Sequence, residues 1–353
     1  MKINGKVVGY SVLIITWILA VLFFSRSCME QKRLDQELVV RVEQAKKDAA
    51  EAEERRKEEE QRKALLEEQK KERIVLVKTL PVFESEDISV NQTAEPKTKL
   101  LNGEKVLLME EGSPYSLVQI KEKNISGYVW SDCIGRMPES GVLPPRVVVI
   151  DAGGQQDADL EKEPVRPESD VMTERMREGA VGRFTGGKEY EITLAVALEL
   201  EQELEKYGVL VVQTRRKMEV SISNAERGSL ANQIEADAFL QMYINRSENL
   251  ERRGAYVNYA AKEGDDKSKE LAGFVLTAYT DAVDAIQKNS VDISEKDTAL
   301  NWCKVPAVTL KLGYLSNEEE DRCMNQAEMQ KVMAEGIAKG LLTYLNVEEQ
   351  DGE

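Results

Sequence analysis

The 353 residues of this chain include no histidine, so acid–base or metal chemistry would fall to other side chains, among which we consider a glutamate, a tyrosine and a lysine. Glu189 precedes a helix-forming run, whereas Tyr243 and Lys311 lie in apolar runs typical of buried strands. A carboxylate can bind a metal ion or accept a proton. Tyrosine, however, ionises only at a pKa of about 10, and a lysine is cationic at neutral pH unless it is strongly desolvated. No activated nucleophile is recognisable, so these three side chains alone do not predict a hydrolytic site.

Alternating strands and helices from residue 146 onward would position these side chains. We predict strands at 146–150, 209–214, 238–245, 255–259 and 307–312, and helices at 192–207, 224–236, 267–287 and 327–345. This alternation predicts a layered α/β domain with a mostly parallel sheet. Sites in such sheets gather at the carboxyl ends of the strands.

The order of four motifs in this domain resembles the zinc-dependent N-acetylmuramoyl-L-alanine amidases of the cell-wall type. The motifs are Asp151-Ala152-Gly153-Gly154, Glu189-Tyr190-Glu191-Ile192-Thr193-Leu194, Tyr243-Ile244-Asn245 and Lys311-Leu312-Gly313-Tyr314-Leu315-Ser316-Asn317. The resemblance extends over about 200 residues, from Val147 to Leu345. It implies a scaffold that cleaves the amide between the muramoyl lactyl group and the stem peptide.

The resemblance also implies that three of the family's four functional positions are replaced. Gly154 and Tyr243 stand where the family has histidine ligands, and Lys311 stands where it has its catalytic glutamate. Glu189 is the only ligand-type residue retained, so we expect no catalytic residues, no bound zinc and no other cofactor. Since the family site balances a dication against two carboxylates, we predict that Lys311 lies within hydrogen-bonding reach of Glu189, or shares a water with it. The alternative is that both side chains point separately into solvent.

An altered metal site could recruit other acids near these positions. The candidates are Asp157, Asp159 and Glu191, although all three are typical of solvated loop and helix surface. The cysteines Cys28, Cys133, Cys303 and Cys323 are too scattered to predict a disulfide framework or a metal site. A Cys303–Cys323 disulfide and an intermolecular one at Cys28 remain open.

A small β domain is predicted at residues 74–135, where short β-favouring runs alternate with Asn-Gly and Gly-Ser-Pro turns. The segments 100–106, 115–120 and 126–130 resemble a bacterial SH3-like module, which implies binding of wall peptides or proteins. Its aromatic residues Tyr115, Tyr128 and Trp130 could equally fill the core. Residues 136–145 then form a linker rich in proline and glycine, before the amidase-like domain at 146–347 and an acidic tail at 348–353.

The N-terminal third predicts a membrane anchor and a helical stalk. Residues 7–24 are apolar over about 27 Å of helix, enough to cross a bilayer once, and residues 1–6 would form a cytoplasmic tail. Residues 29–73 are rich in Glu, Lys, Arg, Gln, Ala and Leu, which indicates a long helix. That helix is either a solvated single helix stabilised by i,i+4 ion pairs or a coiled coil that makes a homodimer. A cleaved signal peptide is the alternative for the apolar segment.

The net charge of −16 argues against nucleic acid as a partner. Three functional hypotheses remain. The first is a membrane-anchored, inactive amidase-like protein that binds peptidoglycan, muropeptides, or cell-wall and division proteins. The second is an active peptidoglycan amidase with an altered metal site, and the third is an adaptor whose stalk recruits an active hydrolase. Family context places everything after residue 24 outside the cell membrane.

Overall fold

The computed structural model of the chain describes residues 5–87, 94–138, 141–260 and 265–348. Within the first helix it describes the side chains of residues 16–63 and of Lys71. The chain divides into two compact units, Met1–Lys70 and Lys71–Glu353. The expected tails at 1–6 and 348–353 fall mostly outside the described residues.

The first unit is one continuous helix, α1 (Gly5–Lys71). Its described side chains form i,i+4 ion pairs such as Lys57–Glu53 and Lys63–Glu59, each at 2.9 Å. These pairs are the pattern expected of a solvated helix. Among the residues that the structure describes, no helix combines the length and apolar character needed to cross a membrane. Of the span predicted at 7–24, residues 7–15 lie outside the described side chains.

The second unit begins with seven short strands. They are β1 (Glu72–Val75), β2 (Thr79–Val82), β3 (Thr98–Leu101), β4 (Lys105–Glu110), β5 (Tyr115–Ile120), β6 (Ile125–Trp130) and β7 (Ile134–Gly135). Five of them form an antiparallel sheet in the order β6-β5-β4-β1-β7, and β2 pairs with β3. Tyr115 and Trp130 are buried in an edge-to-face contact, with ring centroids 5.1 Å apart, whereas Tyr128 is half-buried. The first two aromatic rings therefore fill the core of this β subdomain.

The remainder is an α/β layer built on a six-stranded sheet. Its strands are β8 (Arg146–Ala152), β11 (Val209–Gln213), β12 (Ala238–Asn245), β13 (Ala255–Ala260), β14 (Lys288–Ser294) and β15 (Ala307–Tyr314), in the order β11-β8-β12-β15-β13-β14. The first four in that order are parallel, but β13 runs antiparallel to β15 and β14 follows β13. The sheet is therefore mixed. A separate hairpin, β9 (Asp159–Pro164) and β10 (Met172–Met176), precedes the first helix of this layer.

Helices cover both faces of the sheet. They are α2 (Glu189–Glu205), α3 (Asn224–Gln233), α4 (Asp266–Ala282), α5 (Thr298–Trp302), α6 (Glu318–Met324) and α7 (Ala327–Leu345). Helices α2, α4 and α7 pack on one apolar core, whereas α3 packs on the opposite face. The helix predicted at 267–287 ends at Ala282, and the polar segment from Lys288 to Ser294 is an edge strand instead.

The β subdomain packs directly on the edge and the α3 side of this sheet. The indole of Trp130 donates to the carbonyl of Gln213, and the amide of Gln213 donates to Asp132 at 3.0 Å. Both contacts involve the last residue of β11, the edge strand, so the β subdomain covers that end of the sheet edge. The two segments that the sequence separates by a linker thus share one compact unit and one apolar core. All four cysteines are free thiols, so the Cys303–Cys323 disulfide is not formed.

Candidate functional site

The four family-equivalent positions meet at the carboxyl ends of neighbouring strands. Gly154 follows β8, and Tyr243 and Lys311 are cross-strand partners on β12 and β15. Glu189 opens α2 and bonds to the end of β12. The placement predicted from the sequence is therefore what the structure has.

Glu189 is buried, with 5% of its surface exposed, and its side chain connects β12 to the segment that precedes α2. One carboxylate oxygen accepts from the amide of Ile244 at 2.6 Å, and the other accepts from the amide of Ala180 at 2.8 Å. Burial raises the pKa of Glu189, whereas the two amides and the positive charge of Lys311 oppose that rise. Both oxygens are thus engaged by the backbone, which stabilises the carboxylate without a metal ion.

The side-chain nitrogen of Lys311 contacts the aromatic ring of Tyr243 rather than the carboxylate of Glu189. This Nζ atom is 4.3 Å from the centroid of the Tyr243 ring, a cation–π contact. No ion pair within 4.0 Å joins Lys311 to Glu189, both of which lie in the described part of the chain. The direct pairing predicted from the sequence is therefore not formed, and the two charges attract each other at longer range. Burial lowers the pKa of Lys311, and the nearby carboxylates oppose this shift.

The Tyr243 hydroxyl is held in its neutral form. It donates to the side-chain oxygen of Asn224 at 3.1 Å and lies 3.6 Å from the sulfur of Met176, a residue of β10. Burial raises the pKa of Tyr243 well above its usual value. The ring also lies against Gly153, where a Cβ atom would come within 2.8 Å of it. Tyr243 thus fills space at the end of β12 and is poorly suited to become a phenolate ligand.

Asp297 is a carboxylate close to Lys311 that the sequence analysis did not single out. It caps α5 by accepting from the amide of Leu300, and it accepts from the Thr309 hydroxyl at 2.7 Å. Of the two carboxylates that raise the pKa of Lys311, Asp297 has the larger effect. The signal in the sequence is a helix N-cap: an aspartate whose side chain accepts a hydrogen bond from the backbone amide three residues later.

A buried ionic network underlies these side chains. The carboxylate of Asp151 is fully buried and accepts from Arg227 at 2.6 Å, from Gln241 at 2.7 Å and from Thr214. Arg215 donates to the carbonyls of the Ala152 and Tyr190 residues at 2.7 and 2.8 Å. Its three cations and three carboxylates are Arg215, Arg227, Lys311, Asp151, Glu189 and Asp297. With all six side chains ionised these charges sum to zero, so each cation has a carboxylate to balance it.

The donors at these positions do not fit a zinc ion. Gly154 has no side chain, and its φ of 76° is a conformation that other residues rarely adopt. Lys311 contributes a positive charge, which repels a divalent cation. Throughout the part of the chain that the structure describes, no group of three histidine, cysteine, aspartate or glutamate side chains could hold a metal. Zinc sites need three such protein ligands.

The alternative acids do not supply the missing ligands. Asp157 is exposed, Asp159 pairs with Arg175 at 3.4 Å, and Glu191 pairs with Lys188 at 3.6 Å. These contacts direct the carboxylates towards local cations rather than towards Glu189. Asp157 is exposed and the Glu191 side chain is 41% exposed, whereas the Asp159 side chain is only 15% exposed, so Asp159 is not the solvated surface residue expected from the sequence.

Two buried carboxyl groups give the fold a pH dependence. Burial raises the pKa of Glu163, beside α3, and that of Glu320, in α6, from 4.5 to about 7 each. Between pH 4.5 and 7 the folded state therefore binds more protons than the unfolded state. We expect the free energy of unfolding to be highest near pH 5 and to fall as pH rises to 8, by at most about 3 kcal/mol for each group.

Urea unfolding at pH 5, 6, 7 and 8 measures this dependence. Glu163→Gln and Glu320→Gln remove one titrating group each, so each variant should lose less stability over this range than the parent chain. An unchanged slope in both variants would show that other groups cause the pH dependence.

The mixed α/β sheet, with polar side chains at the carboxyl ends of its parallel strands, defines a layered α/β scaffold of the kind that binds ligands at this edge. A model of the family described as N-acetylmuramoyl-L-alanine amidase matches residues 148–343. The chain belongs to this family.

Known relatives agree with that family. The probable cell wall amidase LytH of Staphylococcus aureus is 30% identical over 165 residues, which are 45% of this chain and 50% of LytH. The chain thus spans about half the length of the curated relatives it matches. The Ami1 amidases of Mycobacterium smegmatis and Mycobacterium abscessus superpose with a TM-score of 0.52 each, at 18% and 20% identity. The superposed region is 57% of this chain in both cases. It is 97% of the Mycobacterium smegmatis chain and 99% of the Mycobacterium abscessus chain, which shows a shared fold.

Proposed function

We propose that this protein is a catalytically inactive member of the amidase family that binds peptidoglycan, or proteins associated with it, without cutting the muramoyl amide. The observation that carries the proposal is the Lys311 ammonium over the Tyr243 ring, next to the only retained ligand-type residue. In its ammonium form Lys311 can neither hold a metal ion nor accept a proton from water, and Asp297 and Glu189 favour that form. Binding does not require this chemistry, because contacts with the uncleaved substrate can persist without catalysis.

The β subdomain and the N-terminal segment extend this proposal. We propose that the β subdomain is an SH3-like module that contributes to wall binding. We also propose that residues 7–24 anchor the chain in the cell membrane, with the later residues on the outer side. The apolar composition of that segment and the presence of a family domain that elsewhere acts on wall material support this arrangement.

Purified sacculi provide the test of this function. We expect the chain to sediment with sacculi and to release no stem peptides, whether zinc or a chelator is added. A zinc-dependent amidase in a parallel reaction controls for access to the substrate. Release of stem peptides that stops with chelator would contradict the loss of chemistry, and absence of sedimentation would contradict wall binding.

A further inference from the structure

A cavity of about 630 Å³ lies beside the family-equivalent positions, at the same edge of the sheet. Its walls include Arg252, Tyr256, Asp292 and Tyr314. Tyr256 is the cross-strand partner of Lys311, and Tyr314 ends β15. The cavity therefore continues the row of polar and aromatic side chains that starts at Tyr243, in the region where α/β sheets bind ligands.

The loop that presents Arg252 is fixed by buried contacts. The carboxylate of Glu320 has no exposed surface and accepts from the amides of Gly254 and Tyr314, at 2.6 and 2.7 Å. Asn317 donates to the carbonyl of Leu250 at 3.0 Å. These contacts fix the backbone of the loop, so the exposed Arg252 side chain extends from a held position and binding need not order the loop backbone.

The two arginines of this loop differ in what they contact. The Arg253 guanidinium pairs with Glu319 at 3.1 Å, and its carbonyl accepts from Asn289 at 2.9 Å. The Arg252 guanidinium lies 5.6 Å from the centroid of the Tyr314 ring. Within the described part of the chain it has no hydrogen-bond acceptor or ion-pair partner. A guanidinium on an aromatic face keeps its N–H groups free for a second partner.

We propose that this cavity binds a carboxylate group of a peptide and that Arg252 is the residue that recognises it. A guanidinium and a carboxylate form two parallel hydrogen bonds, which selects this group over a neutral amide. Glu251 and Asp292 lie in the same wall and disfavour ligands with several negative charges. A ligand with one carboxylate is therefore favoured over a ligand with several. This inference rests on the proposed function in taking a peptide as the ligand.

Titration of the full chain with acetyl-Ala-Ala tests this assignment, with the same dipeptide carrying a C-terminal amide as the matched probe. We expect the free acid to bind at least about tenfold more tightly than the amide, because only the acid can accept both hydrogen bonds. Arg252→Gln should remove this difference. Arg322→Gln, which changes an exposed arginine paired with Glu318, should leave it intact. Thermal unfolding of both variants checks that they fold.

Equal affinity for acid and amide, or a preference that persists in Arg252→Gln, would overturn the assignment. Sedimentation with sacculi separates this result from the wider proposal. If Arg252→Gln still sediments and neither probe binds, only the carboxylate site fails. If the acid binds through Arg252 but the chain does not sediment, the wall-binding proposal fails and the carboxylate site stands.

Discussion

Replacing Lys311 by glutamate should destabilise the second unit by about 3–5 kcal/mol, the range found when a buried charge loses its counter-ion. Lys311 is the cation that faces both Asp297 and Glu189. The substitution removes that cation and adds a third carboxylate in the same space. Both changes favour protonation of the carboxyl groups or unfolding of the cleft.

Urea unfolding at pH 7 measures this effect, and two further variants apportion it. Lys311→Met removes the cation without adding a negative charge, so its loss of stability should be smaller. Lys304→Glu makes the same charge change on an exposed lysine of the loop before β15 and should have little effect. The account of an internally balanced network would be contradicted if Lys311→Glu cost no more than Lys304→Glu.

The strands that position the site could be predicted from the sequence because they are buried on both faces. β8, β12 and β15 are mostly apolar runs, and none of their residues is fully exposed. Glu189 was also placed correctly, although its helix starts three residues before the predicted start at residue 192. A retained motif and buried strands were thus enough to locate the four positions.

The elements that were missed have little apolar character of their own. The edge strand β14 is mostly exposed, and the hairpin strands β9 and β10 have one buried residue each. Such strands form because a neighbouring backbone pairs with them, which no local pattern reports. The reversed direction of β13 and β14 is likewise set by tertiary packing rather than by composition.

The contacts of Lys311 could not be predicted for a related reason. Charge balance suggested a direct partner in Glu189, but the backbone amides of Ala180 and Ile244 already occupy that carboxylate. The register between β12 and β15 places Lys311 beside Tyr243 instead. The carboxylate that acts most strongly on Lys311, Asp297, precedes a five-residue helix and belongs to none of the four motifs.

Zinc binding should be lost in this protein, and this is the second large effect that the account predicts. A protein zinc site of three ligands holds its ion with an apparent free energy of about 10 kcal/mol or more. Here Glu189 is the only ligand-type residue at the family-equivalent positions, and both of its oxygens accept hydrogen bonds from the backbone. A zinc ion would have to displace those amides and approach the Lys311 ammonium.

Stability should therefore be independent of zinc. Adding zinc or a chelator should leave the unfolding temperature of the chain unchanged, because the residues that the structure describes offer no group of three ligand side chains in the folded state. A zinc-dependent amidase of the same family supplies the contrasting case, since its folded state would be stabilised by the ion.

Zinc content measured by mass spectrometry on the purified chain, after exposure to zinc and dialysis, tests the central claim most directly. The account predicts less than about one tenth of an equivalent per chain, the level of adventitious surface binding rather than of a three-ligand site. One tightly held equivalent, removed only by chelator together with a fall in unfolding temperature, would contradict it.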